Sequence, residues 1–200
     1  MIATRNRGKR EEVRRILEPG GIRLLGLEDF PDLREIEETG ETFLENALAK
    51  AQAVARGTGL LAFADDSGIE VDALGGAPGV RSARYAGEPR SDARNNEKLL
   101  AALAGVASAS RGARFHCVAV AAFVDGKSVW AEGTWRGILL EAPRGASGFG
   151  YDPLFLDPET GRTAAQMAPE EKDARSHRGK AFRALLARIS ERIAAGRRAC

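Results

Sequence analysis

The sequence is poor in cysteine and histidine, with two of each in 200 residues, and it has no apolar run of membrane-spanning length. A chain this long builds a sizeable core without disulfide staples. Cys117 lies inside an apolar run and Cys200 is the last residue. Such usage fits a reduced, intracellular protein better than a secreted one, and no His/Cys cluster has zinc-ligand spacing. With no signal peptide either, the expectation is a soluble, cytoplasmic chain that does not engage a membrane. Charge of one sign is also missing. Thirty Lys and Arg against twenty-eight Asp and Glu leave a formal +2, which argues against a nucleic-acid binder held by a broad cationic field. Any anion site must therefore be local. Internal repeats and low-complexity linkers are absent as well, so residues 1–200 read as a single domain.

Lysine is scarce: the basic residues are 24 Arg and 6 Lys. Where Arg is the default, a Lys marks a place that needs a compact, rotatable ammonium in place of a planar fork. Four of the six, Lys9, Lys50, Lys172 and Lys180, fall in segments that stand out for other reasons.

The chain is organised around residues 60–87. The apolar residues 60–64 predict a short buried strand that runs into Asp65, Asp66, Ser67 and Gly68. Neighbouring strand side chains face opposite ways, so the two aspartates differ in role unless the chain turns, and Ser67-Gly68 has turn chemistry. Ile69, Val71 and Leu74 continue an alternating pattern, and Gly75, Gly76, Pro78 and Gly79 form a loop with Arg81 and Arg84 beside it. One segment thus offers hard oxygen ligands of the magnesium type and a cationic, glycine-rich wall.

Before it, Thr4, Arg5, Asn6, Arg7, Gly8 and Lys9 sit between a strand end and a helix. A glycine just before a helix start, followed by Lys, suits a phosphate, because first-turn N–H groups are unpaired and the dipole favours anions. Residues 22–25 predict a second strand, and the acidic residues 28–41 a loop. Thr42 and Glu45 fit a capping box for a helix through about Arg56, with Asn46 and Lys50 on one edge of its apolar stripe.

After it, Ser91 is a good N-cap for a helix carrying Leu99, Leu100 and Leu103. Residues 115–124 predict a buried strand in which Cys117 is packing. Asp125-Gly126 marks a hairpin, and strands over 128–131 and 134–140 follow. Phe149, Gly150, Tyr151 and Asp152 lie in a glycine-rich loop whose rings suit stacking on a planar base, or else anchor a packed loop. A last helix is predicted from about Ser176. Lys172, His177, Arg178 and Lys180 crowd its start, where the dipole prefers anions, so a bound anion would relieve them.

Taken together, these segments resemble the inosine triphosphate pyrophosphatase family, which acts on non-standard purine nucleoside triphosphates. The first block, Thr4 to Lys9, is similar to its T-x-N-x-G-K motif. Glu38 to Ala47 with Lys50 and Ala51, Ala64 to Gly68 with Leu74 to Gly79, Gly148 to Pro153, and Ser176 to Gly179 complete five blocks in family order. One departure is a short first strand, with only Met1, Ile2 and Ala3 before Thr4.

The resemblance implies an α/β fold with an elongated central mixed β-sheet flanked by helices, in two lobes with an active-site cleft between them. It implies hydrolysis of dITP, ITP or XTP to the monophosphate and pyrophosphate, with magnesium as cofactor, in a homodimer whose substrate is a small nucleotide. Residue by residue, it makes Asp66 the catalytic base and a metal ligand, Glu38 a metal ligand, and Asp65 a supporting carboxylate. Thr4, Arg5, Asn6, Arg7, Gly8, Lys9, Lys50 and Lys172 would hold the triphosphate. Ser67, Phe149, Gly150, Tyr151, Asp152, His177 and Arg178 would surround the sugar and base, with His177 and Arg178, or nearby backbone N–H groups, as candidate donors to a 6-keto oxygen. Two alternatives remain at this point: a pyrophosphatase for modified pyrimidine nucleotides, as in the related septum-formation-inhibitor family, and a non-catalytic nucleotide-binding module. A polyphosphate binder gains nothing from Asp66 unless a metal is there.

Overall fold

Local chemistry starts most of the helices. A computed structural model describes residues 1–33 and 36–198, the last three of these by backbone alone, so Cys200 lies outside the described residues. Helix α1, Arg7–Leu17, is capped by Asn6, whose side chain accepts from the Lys9 N–H. It begins one residue before Gly8, so that glycine lies within the first turn instead of ahead of it. Helix α2, Phe43–Thr58, has the expected capping box: Thr42 Oγ1 accepts from Glu45 N at 3.2 Å, and Glu45 Oε2 accepts from Thr42 N at 3.1 Å. Helix α3, Asp92–Ala102, starts at Ser91 as predicted.

The strands depart more from expectation. Strand β1, Ala62–Val71, runs without a break through Asp65, Asp66, Ser67 and Gly68. The predicted turn is absent, because pairing of β1 with β2 and packing of its side chains outweigh the local turn preference of a Ser-Gly pair. Strands β2, Gly112–Ala122, and β3, Ser128–Leu139, form the hairpin around Asp125-Gly126, and β3 is one strand where two were expected. Strands β4, Phe155–Asp157, and β5, Arg162–Thr163, complete a sheet in the order β1-β2-β3-β4-β5. The pairs β3–β4 and β4–β5 are antiparallel, and the five-stranded sheet is antiparallel; the parallel pairing is an isolated bridge from Ile2, outside the named strands, to Phe63. Residues 22–25 are not a strand; their link is one bond, from Ile2 N to Leu25 O at 2.9 Å.

The last helical segment is two helices. α4, Pro169–Arg175, and α5, His177–Arg198, are separated by Ser176 in an extended conformation (φ −63°, ψ 155°). Lys172 therefore lies in the last turn of α4, where the dipole favours a cation.

The chain divides into two compact units, neither continuous in sequence. Unit 1 takes Met1–Asp66, Cys117–Gly133 and the chain from His177 onward; unit 2 takes Ser67–His116 and Thr134–Ser176. The core of unit 1 includes Ile2, Val13, Leu17, Phe63, Phe182 and Leu185. There α5 lies so close to β3 that a Cβ on Gly133 would meet the His177 carbonyl oxygen at 2.1 Å, so only glycine fits. The core of unit 2 includes Ile69, Val71, Leu99 and an aromatic cluster. In that cluster Phe155 lies 4.4 Å from Phe115 and 5.0 Å from Trp135 between ring centroids. No helix of the described residues is long and apolar enough to cross a membrane.

Candidate active site

Strand alternation separates the two aspartates of β1 within unit 1, and each acquires its own partners. Asp66 Oδ2 accepts from Asn46 Nδ2 at 3.1 Å, and its Oδ1 lies 3.3 Å from Lys50 Nζ. The same ammonium donates to Glu38 Oε1 at 2.7 Å and to the Asp65 carbonyl at 2.8 Å. Asn46 and Lys50, one turn apart on α2, thus both reach β1. Lys50 does not snorkel at the rim of the core: it is 8 % exposed. Gly40 N donates to Asn46 Oδ1, which fixes the amide orientation that offers Nδ2 to Asp66.

Asp65 is 1 % exposed. Its Oδ2 receives Arg178 Nε at 3.2 Å and Nη2 at 3.1 Å, and lies 3.3 Å from Lys9 Nζ. The other arm of Arg178 pairs with Glu12 on α1. Arg178 is therefore turned toward two carboxylates inside unit 1: it is 2 % exposed, and its Nε, Nη1 and Nη2 are engaged by Asp65 and Glu12. The Cys117 thiol lies 3.9 Å from the same Asp65 oxygen.

These charges perturb one another. Burial pushes the Asp65 carboxyl up, but Lys9, Arg178 and Lys50 outweigh it and hold the group well below the usual carboxylate range. Burial works against the Lys50 ammonium, yet Asp66, Glu38 and Asp65 raise it above its ordinary value. Arg178 behaves likewise, with burial opposed by Asp65 and Glu12. The Cys117 thiol is pushed up by burial and then by Asp65. Burying so many charges does not by itself stabilise a fold, so their retention points to chemistry.

The remaining residues of the first motif lie at the surface or near it. Thr4 is half-buried, and its Oγ1 accepts from Asn6 N at 3.2 Å; Arg5, Asn6 and Arg7 are exposed. His177 is buried at the first position of α5.

The unit 1 donors are of the chemical type that a divalent cation takes. Glu38 and Asp66 offer hard oxygens and already converge on one cation, the Lys50 ammonium. Among the described residues no group of three or more His, Cys, Asp or Glu side chains is placed to hold a metal. Two carboxylates are the usual protein share for magnesium, which keeps several waters and takes substrate phosphates.

In unit 2 the loop Phe149, Gly150, Tyr151 and Asp152 is tethered at every residue. Phe149 N donates to Asp152 Oδ2 at 2.9 Å, and the Lys172 ammonium pairs with that same oxygen. The Lys172 ammonium also sits 4.8 Å from the Phe149 ring centroid. A Cβ on Gly148, which has φ +78°, would lie 2.1 Å from Asp152 Oδ2, so the loop closes only around glycine. Tyr151 is a buried anchor whose hydroxyl donates to the Ser82 carbonyl at 2.8 Å, and burial pushes its pKa up. Phe149 is the half-buried ring of the two. Ser67 is half-buried at the start of unit 2.

Sequence reasoning missed Glu12, Asp92 and Asn96. Glu12 had a signal: it occupies the α1 stripe shared with Val13 and Leu17, where an acid needs a buried partner. Asp92 and Asn96 carried none, because an acid and an amide on the first turns of a helix are ordinary.

The sequence pattern of the Ham1 family matches residues 1–188. The chain is 56% identical over 193 residues to the dITP/XTP pyrophosphatase of Nitratidesulfovibrio vulgaris, covering 93% of each. Among solved structures, a HAM1 protein from Coxiella burnetii superposes with a TM-score of 0.84 at 42% identity, covering 95% of this chain and 97% of that one. A nucleoside-triphosphatase / dITP/XTP pyrophosphatase from Mycobacterium abscessus superposes with a TM-score of 0.74 at 45% identity, covering 94% and 97%.

Proposed function

Because the chain belongs to the Ham1 family, we propose that it hydrolyses the non-standard purine nucleoside triphosphates dITP, ITP and XTP to the monophosphate and pyrophosphate, and that it does so with magnesium as a cytoplasmic homodimer. The observation that carries this reading is the buried junction in which Glu38 and Asp66 meet on Lys50 while Lys9 stands on Asp65.

Asp66 is the general base. Asn46 and Lys50 hold its two oxygens in place, so the carboxylate is oriented before a water arrives. As the water oxygen bonds to the α-phosphorus, its proton passes to Asp66, the bond to the bridging oxygen breaks, and pyrophosphate leaves. Glu38 and Asp66 would hold a magnesium ion, which when bound supplies charge neutralisation at phosphoryl oxygens. Lys9 and Lys50 add compact cations that cover the charge of the triphosphate. Asp65 is too strongly committed to Arg178 and Lys9 to take a proton; it keeps those cations in position. In unit 2, Phe149 offers a ring face to the purine, and the Asp152–Lys172 pair offers polar groups that would be left unpaired by a wrong base.

The test is release of pyrophosphate from ITP, dITP, XTP, ATP and a modified UTP, with and without magnesium. Magnesium-dependent release from the first three, well above ATP and the UTP analogue, supports the reading. Preference for the pyrimidine, or binding without turnover, overturns it.

A further inference from the structure

Two side chains of α3 grip one residue of the unit 2 loop from both sides. Asp92 Oδ2 accepts the Gly150 N–H at 2.6 Å, and Asn96 Nδ2 donates to the Gly150 carbonyl at 2.9 Å. They stand four residues apart on successive turns of α3, so both face the same way. The Gly150 N–H belongs to the peptide that follows Phe149, and its carbonyl to the peptide that precedes Tyr151. Holding both fixes the orientation of two consecutive peptide planes, and with them the backbone angles of Gly150; together with the Phe149 N–H bond to Asp152, this sets the direction in which the chain carries the Phe149 ring.

A glycine-rich segment has many conformations to lose, and its own bonds, Phe149 N to Asp152 among them, close only a tight local ring. The α3 clamp ties that ring to a regular element. Asp92 is exposed and Asn96 half-buried, and neither belongs to the core of unit 2. A first-turn acid already suits the helix dipole without any partner, so the bond to Gly150 is an additional commitment.

We propose that Asp92 and Asn96 are positioning residues that hold the 149–152 loop in the shape that accepts the purine ring. The inference rests on the base-binding role given to that loop above. Preorganisation of this kind lowers the cost of binding the base without touching the reacting phosphorus, so its loss falls on KM and not on kcat.

The experiment compares wild type with Asp92→Ala, Asn96→Ala, their combination, Asn96→Asp and Asp92→Asn. Each is measured for KM and kcat on ITP with magnesium, for inhibition by inorganic tripolyphosphate as a base-free competitor, and for thermal midpoint. The combined variant should raise KM about tenfold, the scale of two lost hydrogen bonds, with kcat within about twofold. Tripolyphosphate inhibition should not change. Asn96→Asp, which removes the donor at nearly constant volume, should raise KM like Asn96→Ala, whereas Asp92→Asn keeps an acceptor and should stay near wild type. An unchanged KM in the combined variant, or a parallel rise in KM and in the tripolyphosphate constant, overturns the proposal. A wild type inert toward ITP overturns the proposed function and this inference with it, whereas an active wild type with indifferent variants overturns this inference alone.

Discussion

Unit 1 and unit 2 organise their functional residues by opposite means. In unit 1 the groups are charges taken out of water and held by other charges: Asp65 between Arg178 and Lys9, Lys50 between Glu38 and Asp66. In unit 2 the loop 149–152 is held mostly by hydrogen bonds between its backbone and Asp92, Asn96 and Asp152, and by the Tyr151 hydroxyl on Ser82, with one buried ion pair, Asp152–Lys172. A charge network responds steeply to the loss of a member, because the partner left behind is desolvated and uncompensated. A hydrogen-bonded loop loses a little with each tether. Under the proposed function, the chemistry that moves protons and neutralises phosphates falls to the first kind of site, and recognition of a flat, neutral ring to the second.

The sharpest test of that contrast lies at the reacting end of unit 1. Asp66→Asn should lower kcat on ITP by about 10²–10⁴-fold, the usual worth of a general base, with the fold intact by circular dichroism. Loss of even an outer-sphere partner costs a metal site roughly 10-fold to 100-fold in affinity. Glu38→Gln should therefore raise the half-saturating magnesium concentration by at least about tenfold, with activity partly recovered at high magnesium, as read in a magnesium titration of rate.

Arg178→Met tests the structural half of the network. It takes a buried cation away from Glu12 and from Asp65, which keeps Lys9, and should cost about 3 kcal/mol in urea unfolding. Its pH dependence has a definite sign. Because Asp65 titrates lower in the folded chain than in the unfolded one, its contribution is fully present above the unfolded value of about 4 and is lost as pH falls toward the folded value. The stability gap between wild type and Arg178→Met should thus narrow on acidification below about pH 4. A gap that widened there would break the charge-network account.

Tyr151→Phe, the matching change in unit 2, removes one bond to the Ser82 carbonyl and should cost only about 1 kcal/mol, with no such pH dependence between about pH 2 and 6. The smallest expected effect is on Cys117. Burial and Asp65 keep its thiol protonated, so a thiol reagent should label it only on unfolding. Rapid labelling of Cys117 itself in the native chain, located by peptide mass, would show that the interior of unit 1 is open to water.

How much of this could be read beforehand differs by element. The Thr42/Glu45 capping box and the Ser91 cap were legible because both partners lie within four residues. The Ser67-Gly68 turn does not form, since its local preference is overruled by pairing of β1 with β2 from far along the chain. Lys172 and Arg178 looked like one cationic cluster at one helix start. The extended Ser176 separates them into two helices, and they answer to different carboxylates, Asp152 and Asp65.

The order of residue types along the chain was enough to determine the family, the α/β class and the identity of the chemical groups, because caps, alternation and motif spacing act over a few residues and need no knowledge of the rest. Only the tertiary structure decided which group faces which. Asp65 and Arg178 are 113 residues apart in sequence, and Asp92 and Gly150 are 58 apart. Whether such groups meet depends on how strands and helices pack, and so the division of labour between Asp65 and Asp66 and the clamp on the loop came into view only in three dimensions.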